Sequence, residues 1–253
     1  MTGQPTRTAI IAGGAKRIGG AITRALADDG WHVMIHCHNS RVDADALAGT
    51  LPHASVVAAD LAFEGAAETI MAACAGLPPA RLLVNSASRF VYDRIEDFSA
   101  DDFDHHMAVN LRAPALLTRA FAAALPAALD DPALVVNLLD AKLASLNSDY
   151  FTYTLSKIGL EGLTELTARS YAPRLRCLGI APAVTLVSGP QSRENFEAVH
   201  AMNPLGRGVT VDDIVSALRF CIATPTYNAQ TIVLDGGQRL LALPRDVAPL
   251  VDH

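Results

Sequence analysis

The sequence predicts an α/β protein built on one doubly wound sheet of seven parallel strands, with helices on both faces. Short apolar runs alternate along the whole chain with longer segments of helical period, as repeated βαβ units require. Those runs are of strand length and apolar nearly throughout, the composition of strands covered on both faces. A chain of 253 residues, 51% of them hydrophobic, suffices for one large core, so a single domain over 1–253 is expected.

The elements follow in order. The first strand, Thr8–Ala12, runs through a glycine-rich turn into a helix over Ile18–Asp28. His32–His36, Ser55–Ala59 and Leu82–Asn85 supply the next strands, with helices over Asp43–Leu51 and Ala66–Ala75 between them. Helices over Asp101–Asn110 and Ala113–Ala124 lead to the fifth strand, Leu134–Leu138. The helix Tyr150–Tyr171 joins it to Leu175–Ile180, and Val211–Ala223 precedes the last strand, Ile232–Leu234. Right-handed crossovers wind these units onto both faces. The connection Ala181–Leu205, with a short helix over Arg193–Ala201, is long for its place and reads either as a substrate lid or as a surface insertion. Ala113–Ala124 is apolar on nearly every face apart from Thr118 and Arg119, so it is either buried on a second side by another subunit or simply rich in alanine.

Composition excludes several classes. The net charge of -6, without a stripe of lysine and arginine, argues against a nucleic-acid partner. Cys37, Cys74, Cys177 and Cys221 are widely spaced and form no C-x-x-C pair, so buried thiols in a reducing compartment are expected, and no metal site. No apolar stretch reaches membrane-spanning length, and the expected setting is cytoplasmic.

Gly13-Gly14-Ala15-Lys16-Arg17-Ile18-Gly19-Gly20 stands between strand and helix, where a glycine turn lets backbone approach a pyrophosphate, or serves only close packing. Lys16 and Arg17 favour the first reading, because two cations beside the positive end of a helix dipole call for an anion between them. Gly13, Lys16, Arg17, Ile18 and Gly19 are therefore cofactor candidates. The second strand ends His36-Cys37-His38-Asn39-Ser40-Arg41, without the acid that would bind a ribose 2′-hydroxyl. His38, Asn39 and Ser40 instead surround the place of a 2′-phosphate, which favours NADP (NADPH), while Arg41 either adds charge or begins the next helix. Asp60, followed by Leu61, accepts from the adenine amino group or caps a helix. Tyr153 and Lys157 lie one helical turn apart on one face, where an ammonium would lower the pKa of a phenol toward the working range.

The order of these motifs, with Asp60-Leu61, Asn85-Ser86-Ala87-Ser88, Asn110, Tyr153/Lys157, Pro182 and Asp235-Gly236-Gly237, resembles the short-chain dehydrogenase/reductase family over essentially the whole chain. The resemblance implies a Rossmann-like fold, a homo-oligomer that is often a tetramer, and a catalytic set of Asn110, Tyr153 and Lys157. It also implies cofactor contacts at Ser86, Ala87 and Pro182. Departures from the common pattern point to one branch. Arg17 replaces a turn glycine, Ser88 the glycine of the usual N-N-A-G, Phe90 follows, and Asp140 stands in the place of the catalytic serine. Together these resemble the pteridine reductases and bacterial dihydromonapterin reductases. That branch implies a flat pterin or folate held by Arg17, Ser88, Phe90, Asp140 and Tyr153, with Asp140 relaying a proton to a C=N nitrogen. Two alternatives remain at this stage: a carbonyl reductase acting on a ketone, and a non-catalytic dinucleotide sensor.

Overall fold

A computed structural model describes residues 4–188, 191–247 and 250. Seven parallel strands form one sheet in the order β3-β2-β1-β4-β5-β6-β7. They are β1 (Thr8–Ala12), β2 (His32–Cys37), β3 (Ala54–Ala58), β4 (Ala80–Asn85), β5 (Ala133–Leu138), β6 (Leu175–Pro182) and β7 (Thr231–Leu234). The helices are α1 (Arg17–Asp28), α2 (Arg41–Ala48), α3 (Ala66–Ala73), α4 (Ala100–Met107), α5 (Ala113–Ala123), α6 (Phe151–Tyr171), α7 (Arg193–His200) and α8 (Val211–Ala223). The expected Rossmann-like sheet is present, with element ends shifted by a few residues. Part of the expected lid, Gly189 and Pro190, lies outside the described residues; α7 occupies the place of its short helix.

Alternation along each strand splits the core in two. Ile11, Val33, Ile35, Val84 and Val136 face α1 and α8, packing with Ile22, Leu26, Trp31, Ile214 and Leu218. Ile10, Met34, Leu83, Val135 and Cys177 face the other way, against Ile70, Leu117 and Phe121. Strands buried on both faces carry apolar side chains at every position, which is why their sequence does not alternate.

One polar line crosses this core. Asn85 Nδ2 donates to Asn137 Oδ1 at 2.8 Å, and Asn137 Nδ2 to Thr164 Oγ1 at 2.9 Å, joining β4, β5 and α6. Ala12, Asn85, Asn137 and Gly179 share one register row, so β1 and β4 end level, β5 runs one residue further and β6 continues to Pro182.

The helix expected to stop at Asn110 does not. α4 continues through a π turn, Ala108–Arg112, into α5. Pro114 has no N–H to give the Asn110 carbonyl, and its ring would crowd that oxygen in a regular helix; the wider turn, in which Ala113 N donates to the Ala108 carbonyl, ends just before it.

A buried arginine closes α8. Arg176 Nη1 donates to the carbonyls of Cys221, Thr224 and Tyr227 at 3.0, 3.1 and 2.9 Å, satisfying groups at and beyond a helix C-terminus. Arg176→Met strands these acceptors and is expected to cost about 1–3 kcal/mol. In urea unfolding the midpoint should fall with the slope unchanged.

Candidate functional site

A cleft of ≈ 1450 Å³ runs along the carboxyl ends of the strands, from the glycine turn after β1 to the start of α6. In a doubly wound sheet this is where the crossovers diverge and leave room for a ligand.

At one end the turn presses against the chain after β4. Gly13 has φ +75°, and a Cβ there would stand 2.8 Å from the Ala87 backbone. Gly19 tolerates no side chain either, since a Cβ would come within 2.0 Å of the Gly13 carbonyl oxygen. Close packing is thus one function of these glycines. α1 has neither a side-chain cap nor an acid in its first turn, and Arg17, Ile18 and Gly19, which carry its leading N–H groups, line the cleft.

The two turn cations do not simply await an anion. Lys16 pairs with Asp43 at 2.8 Å, and Arg17 Nη1 donates to the Val187 carbonyl at 2.8 Å. Asp43 lies in the first turn of α2, close enough to answer Lys16. This pair is half exposed and worth under about 1 kcal/mol, little against a phosphate. Arg17 itself sits at φ 53°, the left-handed region that its glycine counterpart would enter freely.

Around the end of β2, His38, Asn39 and Ser40 line the cleft. The Ser40 hydroxyl does not cap α2, and Arg41 turns along that helix to Asp45 at 2.7 Å. His36 is a buried strut: Nδ1 accepts the Gly13 N–H at 3.0 Å and Nε2 meets the Ala59 carbonyl at 3.0 Å. Burial lowers its pKa and keeps it neutral. Asp60 Oδ1 accepts from Ala62 N at 2.9 Å, the local turn bond, and Oδ2 lies 3.9 Å from His38; Leu61 is buried beside it. Ser86, Ala87 and Pro182 also line the cleft.

At the other end Tyr153 and Lys157 project from α6, both buried. Tyr153 Oη donates to Asp140 Oδ2 at 2.8 Å, while Lys157 Nζ donates to the Leu138 carbonyl at 2.7 Å. The expected lowering of the phenol pKa is not found. Burial, and then the Asp140 carboxylate, push Tyr153 well above its usual value. The same burial brings Lys157 down to about 8, partly offset by Asp140. Asp140 is oriented by a second bond, from Lys142 N to Oδ1 at 2.9 Å.

Asn110 sits inside the π turn rather than capping a helix. Its Oδ1 accepts from Arg89 N at 2.8 Å, and its Nδ2 donates to the Arg89 carbonyl at 2.9 Å and to Ser156 Oγ at 3.0 Å. It therefore grips the loop after β4, and its bonds go to neither Tyr153 nor Lys157. In that loop the Ser88 hydroxyl is exposed and donates to the Arg89 carbonyl at 3.2 Å. Phe90 stacks on Tyr150 with centroids 4.2 Å apart and planes 15° from parallel, and meets Tyr153 edge-on at 4.7 Å. Its ring remains 43% exposed, in the cleft.

Two cleft residues, Tyr150 and Arg245, and the buried Asp149 behind them went unmarked in the sequence. Tyr150, three positions before Tyr153, backs Phe90; that spacing was its only signal. Asp149, wholly buried, accepts from Tyr92 Oη at 3.0 Å, from Arg245 Nε and Nη2 at 3.0 and 2.8 Å, and from Asp246 N at 2.9 Å. Burial works to raise its pKa, but the Arg245, Asp246 and Tyr92 bonds prevail and hold it at about 2. Arg245 thereby fixes the segment after β7 to the cleft rim.

Residues 13–239 match the family model described as enoyl-(acyl carrier protein) reductase. The crystal structure of FolM alternative dihydrofolate reductase 1 from Brucella canis, complexed with NADP, is 36% identical with a TM-score of 0.89, over 94% of this chain and 95% of that one. Pteridine reductase 1 of Leishmania tarentolae is 29% identical, over 95% of this chain and 99% of its own. L-xylulose reductase of Mesocricetus auratus is 27% identical, over 91% and 96%. Fold, strand order and a match over residues 13–239 agree: the chain belongs to the short-chain dehydrogenase/reductase family.

Proposed function

We propose that this chain is an NADPH-dependent reductase acting on a C=N bond of a reduced pterin or folate. The observation that carries the reading is the 2.8 Å bond between Tyr153 and Asp140, set beside the exposed ring of Phe90. A carboxyl in that place relays a proton to a ring nitrogen, and an open aromatic ring suits a flat heterocycle. Similarity to the Brucella canis alternative dihydrofolate reductase and the Leishmania tarentolae pteridine reductase supports it.

The residues present fit the cofactor. The uncapped N-terminus of α1 suits a pyrophosphate, and the end of β2 offers His38, Asn39 and Ser40 but no carboxylate to repel a 2′-phosphate. When bound, reduced nicotinamide supplies the hydride. Tyr153, kept neutral by burial, holds the transferable proton at Oη, and Asp140 Oδ2 offers a second position for it. Lys157 acts after the proton has left, when its charge offsets the negative charge remaining on the Tyr153–Asp140 pair. Ser88 and Arg17 are assigned to substrate and phosphate, and Asn110 to holding the loop that carries Ser88 and Phe90. A cytoplasmic homotetramer of single-domain chains completes the reading.

The rival is an NADPH-dependent carbonyl reductase using the same Tyr153 proton, which similarity to L-xylulose reductase favours. NADPH oxidation with dihydrobiopterin, dihydromonapterin, dihydrofolate and a set of ketones decides between them. Turnover confined to the dihydro compounds is expected; turnover confined to ketones overturns the proposal. Asp140→Ser should then reduce kcat/KM for the dihydro compounds by about 100-fold or more, and affect residual ketone reduction far less.

Tyr153→Phe removes only the proton. Turnover should fall by at least about 100-fold while the NADPH Kd stays within about twofold, as read by stopped-flow and equilibrium titration.

Lys157 links function to stability. Its pKa falls from 10.5 to about 8 on folding, so the folded state penalises its charged form. The penalty is complete below pH 8, shrinks between 8 and 10.5, and vanishes above. Lys157→Met should therefore abolish turnover; it also strands the Leu138 carbonyl, a cost independent of pH, so its Tm relative to the wild type should be highest at pH 7 and fall as melts are repeated toward pH 10.5. A Tm difference independent of pH would refute the buried charge.

A further inference from the structure

Between β4 and α4 the chain runs extended, and its odd-numbered residues are each fastened from behind. Asn110 holds both backbone groups of Arg89. His106 Nε2 accepts the Val91 N–H at 3.3 Å. Asp93 caps α6, taking Thr152 N on Oδ1 at 3.0 Å and Phe151 N on its carbonyl at 3.2 Å. The even-numbered residues Ser88, Phe90 and Tyr92 line the cleft, as does Arg89, while Val91 and Asp93 do not.

His106 is the middle fastening. It is fully buried, does not line the cleft, and lies edge-on under the Tyr153 ring with centroids 6.2 Å apart. Its hydrogen bonds admit a single assignment. Val91 can only donate, so Nε2 carries no proton, and Nδ1–H donates to Thr152 Oγ1 at 2.8 Å. The Thr152 hydroxyl in turn donates to Asp93 Oδ2. A single imidazole thus ties the loop carrying Phe90 to the helix carrying Tyr153.

We propose that His106 is a positioning residue for the substrate-facing loop: by holding Val91 it fixes where the Phe90 ring stands relative to Tyr153, and so sets substrate affinity without touching substrate or cofactor. The proposal rests on the reading of Phe90 as a substrate contact. Burial lowers the His106 pKa against the pull of Asp93 and Asp102, with Arg89 acting in the same direction as burial. This keeps the acceptor at Nε2 free of a proton.

Two substitutions separate the arms of the imidazole. His106→Asn keeps a donor near Nδ1 and loses the acceptor for Val91; His106→Gln places an acceptor near Nε2. With dihydrobiopterin as probe, His106→Asn is expected to raise KM by about fivefold or more, with kcat and NADPH Kd within about twofold, and His106→Gln to restore KM. Amide hydrogen exchange at Val91 should accelerate by about tenfold in the Asn variant and not in the Gln variant. If His106→Asn does not fold, Val91→Pro removes the donor, while also fixing its own φ and restricting Phe90, and should raise KM alike. Equal behaviour of Asn and Gln variants, a parallel loss of NADPH affinity, or unchanged exchange at Val91 would overturn the proposal. If the wild type does not oxidise NADPH with dihydrobiopterin, it is the pterin reading that falls, and the exchange comparison still decides on His106.

Discussion

Because β1 pairs with both β2 and β4, the chain must wind outward in two directions from that seam, and the loops leaving β1 and β4 part company there. The pairing also sets heights. Ala12, Asn85 and Asn137 stand opposite one another, so the glycine turn, the loop bearing Ser88 and Phe90, and the approach to Asp140 all begin at one level. Shifting β4 by one residue would bury the polar line through Asn85 and Asn137 without partners and move Phe90 off Tyr153 together. Fold and site therefore share one constraint.

Burial then does opposite things to two neighbouring groups. The same removal from water that keeps the Tyr153 phenol protonated makes the Lys157 ammonium reluctant to be charged. Both shifts suit a reductase, which must begin with a proton in hand and end with a negative charge to be compensated. Burial disfavours the charged form of Lys157 in the resting fold.

How much of this could be read beforehand depends on whether a feature is local. The strands, the glycine turn and the Tyr153/Lys157 spacing are written in neighbouring residues, and each reappears in the structure within a few positions. Lys16 with Asp43, Arg17 with Val187, and Asp149 with Arg245 are not local: their partners come from separate crossovers and no periodicity announces them. The phenol pKa failed for a related reason. Spacing puts Lys157 on the same helix face as Tyr153, but the depth of burial of the phenol and the Asp140 carboxylate set against it come from other elements. His36 adds a further case: placed at the end of a strand with no role beyond it, it braces the turn after β1 against the end of β3.

The π turn at Ala108–Arg112 changes the phase of the rod formed by α4 and α5. One residue more than a regular turn holds rotates everything beyond it by about 100° relative to an unbroken helix. On the near side of this slip His106 faces the cleft loop; beyond it Leu117 and Phe121 face the second core. An unbroken helix through the same residues could satisfy one of those faces only. The single surplus residue lets one continuous rod belong to the chemistry at its first half and to the core at its second.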